Sequence, residues 1–216
     1  MCESKPSRSK DWRPAHGLIL AGLMTCVLAI PVLRIWPLLW LAPLVIYFAC
    51  VVIFPPLKAS FRPWRMGRLS GRAPLAALVI AASSCAVLIF FNVAVHPDVH
   101  TYGSFLPITA PMGILAIGVL FSFFNALFEE IIFRGVLFDS IESQWGDKVA
   151  VVVTALLFGY GHMRGYPPGA FGAVLAGIYG LCLGWLRIFS GGLGLPVLAH
   201  VVADATIFSI IVHPTR

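Results

Sequence analysis

The chain has 216 residues, of which 59% are hydrophobic and only 11% charged, whereas a soluble domain usually carries about a quarter charged residues. Apolar runs approach the ~20 residues that cross a hydrocarbon core, which excludes an ordinary soluble domain and indicates a polytopic α-helical membrane protein. The formal charge of +6 sits mainly in two basic clusters flanking apolar spans, where it sets orientation and argues against nucleic acid as a partner.

Taken in chain order, residues 1–16 hold Lys5, Arg8, Lys10 and Arg13 and read as a basic cytoplasmic tail. Residues 17–107 read as N-terminal transmembrane helices. Span one covers 17–33, and it is expected to be an uncleaved helix rather than a signal peptide. No small-x-small cleavage site follows it, and a second span begins at once. Span two covers 35–54 and stops at Pro55-Pro56. The next segment, 57–74, carries Lys58, Arg62, Arg65, Arg68 and Arg72 with no acid, the strongest cytoplasmic marker in the chain. Span three covers 75–95, and 96–107, free of Lys and Arg, suits the opposite face.

Residues 108–216 read as a second group of helices, the one that carries the buried polar residues. Span four starts near Ile108, with Pro107 and Pro111 in its first turn. It runs uncharged to Phe128 and then meets Glu129-Glu130-Ile131-Ile132-Phe133-Arg134. Apolar residues at Phe133, Val136, Leu137, Phe138 and Ile141 predict that the helix continues past the glutamates. Residues 139–148 read as a polar turn. Spans five, six and seven cover 149–163, 169–189 and 196–212, and the tight connector 190–194 has no Lys or Ser/Thr spaced for a phosphate.

The fold class is therefore all-α, a polytopic bundle of about seven transmembrane helices with its active site inside the membrane. With the N-terminus inside, all of the 15 Lys and Arg except Arg34, Arg164 and Arg216 fall on the cytoplasmic side. The expected location is a bacterial plasma (inner) membrane. The five cysteines stand singly and read as small core residues, not disulfides or zinc ligands.

Ionised side chains at bilayer depth are costly and mark function by default. Glu130 and Arg134 are four apart and share a helix face, so they can pair and anchor the helix. Glu129 points about 100° away, on the face of Asn125 and Phe133, and a glutamate in a water-poor site suits a general base. His162 closes Phe158-Gly159-Tyr160-Gly161-His162; it serves either packing or chemistry, and the small residues allow close helix approach. His200 and Asp204, again four apart, can bind a metal, fix a histidine tautomer, or simply tie helices together.

The ordered set Glu129-Glu130-x-x-x-Arg134, Phe158-x-x-x-His162 and His200-x-x-x-Asp204 on successive helices resembles the CPBP family. These are the CAAX-protease and bacteriocin-processing intramembrane endopeptidases, also called Abi proteins. The resemblance covers roughly the last hundred residues. It implies that Glu129 and His162 activate a water for attack on a peptide carbonyl, that His200 and the residue at 204 stabilise the oxyanion, and that Glu130 and Arg134 support the site. Well-studied prenyl-protein members carry Asn where this chain has Asp204. An ionised Asp cannot donate a hydrogen bond, so Asp204 must be protonated, orient His200, or bind a metal.

His162, His200, Asp204 and Glu129 form a credible zinc ligand set. No His-Glu-x-x-His motif specifies one, and a glutamate-activated water is the preferred mechanism. The expected partners are the lipid bilayer and a membrane-embedded or lipid-anchored peptide or protein substrate, prenylated CAAX-type or unprenylated. The alternative function is a small transporter or ion-binding membrane protein built on the same buried groups, although the repeats common in transporters are not evident.

Overall fold

The computed structural model describes residues 11–62, 64–99 and 111–213. Every regular element among them is helical: α1 (Arg13–Ala29), a 3-10 turn (Pro31–Leu33), α2 (Leu38–Ile53), a short α3 (Pro55–Ser60), α4 (Arg72–Val95), α5 (Pro111–Glu130), a π-helical segment (Ile131–Leu137), α6 (Phe138–Gly161), a second 3-10 turn (His162–Arg164), α7 (Gly169–Ser190) and α8 (Gly194–Val212). Prolines open α1 and α3, where a missing N–H costs nothing. Helix α7 stops at Gly191, whose φ of 75° suits a glycine cap.

Four helical stretches among the described residues are long and apolar enough to cross a membrane: Arg72–Val95, Pro111–Arg164, Gly169–Ser190 and Gly194–Val212. Helices α1 and α2 are apolar but shorter. Residues 1–10 of the basic tail, most of the loop at 96–107, and the expected start of span four near Ile108 lie outside the described residues.

Residues 139–148 differ from the expected polar turn. The chain stays helical beyond the glutamates and breaks only at Gly146 (φ 81°, ψ 170°). Two contacts explain why the polar residues did not end the helix: Asp139 pairs with Arg187 of α7, and the Arg187 guanidinium lies 3.9 Å over the Phe138 ring. A helix face that finds a tertiary charge partner remains a helix face. The turn is made where a glycine takes a positive φ.

The distribution of polarity is that of a membrane protein. Large apolar side chains such as Phe90 (72% exposed) and Leu156 (68%) cover the outside, while Glu130 and Arg134 are fully buried. An apolar exterior of this extent fits hydrocarbon, not water. Helix α6 packs most extensively on α7, α5 on α8, and α4 on α8, while α1 lies against α2 and α6. The α6–α7 contact depends on small residues, since a Cβ on Gly159 would sit 2.5 Å from the Ala173 carbonyl oxygen and 3.1 Å from Gly177. Small residues let membrane helices approach closely, where packing must replace the missing hydrophobic drive.

At one end of the bundle, the basic segment between α3 and α4 lies over the α7–α8 connector. Leu193 N–H donates to the Arg65 carbonyl (2.9 Å), Gly194 N–H to Met66 (3.0 Å), and Arg68 N–H to Ser190 (2.8 Å). Trp64 of this segment packs on the π segment, where a Cβ on Gly135 would fall 2.8 Å from the indole. The π segment thus begins immediately after the two glutamates and is held from outside by an aromatic ring.

Candidate active site

Three helices bring the six sequence-derived residues together. Glu129 and Glu130 end α5, Arg134 lies in the π segment, His162 follows α6, and His200 and Asp204 lie on α8. Glu129, Glu130, Arg134, His200 and Asp204 are buried; the His162 side chain is 23% exposed. Continuation of the helix past the glutamates carries them deep enough to meet His200, as the apolar run after Arg134 leads one to expect.

Glu130 and Arg134 form a fully buried i,i+4 pair, with Arg134 Nη1 donating to Glu130 Oε1 at 2.9 Å. Arg134 Nη2 donates to the Gly180 carbonyl of α7 at 3.1 Å, and its guanidinium stacks 4.3 Å over Phe158. The same Glu130 oxygen faces His200 Nδ1 at 2.9 Å. A carboxylate oxygen accepts from both, so His200 Nδ1 carries the proton and Nε2 points away toward the other acids.

Nε2 of His200 lies 3.7 Å from Glu129 Oε2 and 3.7 Å from Asp204 Oδ1. His162 approaches the same Glu129 oxygen from the other side, Nε2 to Oε2 at 3.8 Å. Its Nδ1 lies 2.8 Å from the Phe158 carbonyl. A carbonyl only accepts, so that nitrogen donates, and in the neutral ring Nε2 is a lone pair facing Glu129. Phe158 backs both imidazoles, with ring centroids 4.2 Å from His162 and 5.6 Å from His200.

Glu129 Oε2 is buried and has no hydrogen-bond partner among the described residues. Gaps of 3.7–3.8 Å exceed a hydrogen bond and match the reach of one bridging water. Among the described residues no group of three or more His, Cys, Asp or Glu side chains is arranged to hold a metal ion.

The six motif residues do not complete the constellation. Asn125, one turn before Glu129, donates from Nδ2 to Glu129 Oε1 and to Asp204 Oδ2, each at 3.1 Å. Trp40 Nε1 of α2 donates to Asn125 Oδ1 at 3.1 Å. Asn125 was visible in the sequence on the Glu129 face, but Trp40 and Gly180 carried no motif. An apolar cavity of about 340 Å³ reaches His162, His200 and Asp204 from between α4 and α7, past Val79, Val87 and Ile178. Those three side chains are themselves exposed on the apolar exterior.

Residues 111–206 match the family model described as type II CAAX prenyl endopeptidase Rce1-like. No curated protein and no solved structure matches the chain. The matched region contains all six motif residues in the order seen on α5 to α8, and this similarity of residues 111–206 is consistent with the CPBP family.

Proposed function

We propose that this protein is an intramembrane endopeptidase that hydrolyses a peptide bond of a membrane-associated substrate with a water activated by Glu129 and His162. One observation carries the reading: Glu129 Oε2 is buried without a hydrogen-bond partner and faces Nε2 of both His162 and His200 at 3.8 and 3.7 Å. Two acceptors, the carboxylate and the His162 lone pair, suit a water that donates one hydrogen to each.

In the forward step the water oxygen bonds to the scissile carbonyl carbon and its proton passes to Glu129. The carbonyl electron pair moves onto oxygen. His200, held through Nδ1 by Glu130, donates from Nε2 to that oxyanion in its imidazolium form. Collapse of the tetrahedral species breaks the C–N bond, and Glu129 returns the proton to the departing amine. Arg134 and Glu130 hold the geometry without touching substrate.

Asp204 lacks the donor that an Asn would present. It accepts from Asn125 and faces His200, so its role here is orientation. The apolar cavity opening between α4 and α7 suits a substrate that approaches from within the bilayer and carries a lipid group or an apolar segment beside the cleaved bond. The expected orientation puts the N-terminus and the basic segment after α3 on the cytoplasmic side.

The test is cleavage in reconstituted vesicles of S-farnesylated CAAX peptides and matched unprenylated peptides. Products from either set support the reading. Intact peptides throughout, with folded protein, contradict it.

A further inference from the structure

The Asn125 amide occupies a position that no motif assigns. Both of its donor hydrogens are used, one on Glu129 Oε1 and one on Asp204 Oδ2. Its acceptor is used by Trp40 Nε1. The indole N–H can only donate, so it fixes which end of the amide is oxygen and thereby aims the NH₂ group at the two acids. Asn125 is buried between α5, α2 and α8, so the amide has no solvent alternative to these three partners.

The consequence falls on Glu129. With Oε1 held by Asn125, the carboxylate plane is set and the free Oε2 is presented to the two imidazole nitrogens. Without that bond the carboxylate would rotate about its last torsion, a broad and weakly preferred one. Glu129 and Asp204, two like charges, would also face each other with no donor between them.

We propose that Asn125 is a positioning residue for the reaction. It orients Glu129 for water activation and supplies from α5 the amide that Asp204 does not supply from α8, with Trp40 as its latch. This rests on the reading of Glu129 as the base. The charged and titratable groups around it are Glu129, Glu130 and Arg134 on its own side, His162 after α6, and His200 and Asp204 on α8.

The experiment compares kcat, KM and melting temperature for wild type, Asn125→Asp, the swap Asn125→Asp with Asp204→Asn, Trp40→Phe and Glu129→Ala, on the farnesylated and unprenylated peptides above. In Asn125→Asp the carboxylate can donate to neither acid, so stability and kcat both fall. The swap restores an amide–carboxylate tie between α5 and α8 but leaves Glu129 without a donor. It should recover melting temperature while kcat stays about 100-fold below wild type with KM little changed. Trp40→Phe should melt close to wild type and lose about tenfold in kcat.

Recovery of kcat in the swap would overturn the inference and leave Asn125 as a tie between helices. So would full kcat in Trp40→Phe. Full turnover by Glu129→Ala would instead overturn the reading of the base itself, so the two failures are distinct.

Discussion

His200 Nδ1 lies 2.9 Å from Glu130 Oε1, an oxygen that also accepts from Arg134 at the same distance. One buried carboxylate oxygen therefore locks the tautomer of a histidine on α8 and neutralises an arginine on the π segment. Glu130 and its neighbour Glu129 are adjacent in sequence yet do different work. The first holds the scaffold and the second faces the gap between two imidazoles.

Removing either member of the Glu130–Arg134 pair leaves a charge buried without its partner, which costs roughly 3–5 kcal/mol. Glu130→Ala and Arg134→Ala should accumulate poorly in membranes and melt well below wild type in detergent. A thermal melt of purified protein checks this. Wild-type melting in both variants would show that the pair contributes nothing to the fold.

Asp204→Asn keeps an acceptor for Asn125 and adds a donor toward His200. This variant should melt within about 1 kcal/mol of wild type and keep turnover within about tenfold. Asp204→Leu removes the acceptor, strands an Asn125 N–H and should lose about 1–3 kcal/mol of stability together with most activity. Initial rates and melts of the two variants side by side decide it. Equal loss in both would mean that the carboxylate itself is required.

Gly159→Ala places a Cβ 2.5 Å from the Ala173 carbonyl oxygen, whereas Gly161→Ala meets nothing within 4 Å. The first should push α6 from α7 at a cost of about 1–3 kcal/mol and disturb His162 nearby. The second should cost about 0.5 kcal/mol or less. Paired melting curves test the α6–α7 packing, and indistinguishable values would contradict it.

A reaction that runs on side chains alone should survive chelation. Cleavage after exhaustive treatment with a zinc chelator is expected to match the untreated rate, with metal content followed by elemental analysis. Activity lost on chelation and restored by zinc would instead make His162, His200 and an acid its ligands.

The fold class and the two i,i+4 pairs of the motif were legible because both rest on local patterns. Apolar length marks a helix, i,i+4 spacing puts Glu130 with Arg134 and His200 with Asp204, and the apolar run after Arg134 carries the helix onward. Residues 139–148 were misread because Asp139 is matched by Arg187 from a helix almost fifty positions later, which no local pattern reveals. Trp40 and Gly180 escaped for the same reason. An indole N–H on α2 and a carbonyl on α7 become site components only when helices distant in sequence close around them. Asn125 was half legible, since its spacing placed it with Glu129 but could not show that Asp204 would accept its second hydrogen.

The most direct measurement is the rate at which wild type and Glu129→Gln, matched in amount and melting temperature, cleave a membrane-anchored peptide in vesicles. A change of one carboxylate oxygen to an amide nitrogen removes the base while keeping the size of the side chain. A fall of about 10²–10⁴-fold with an unchanged melt is the expected result. Turnover by Glu129→Gln at the wild-type rate would contradict the assignment of Glu129 as the group that activates water.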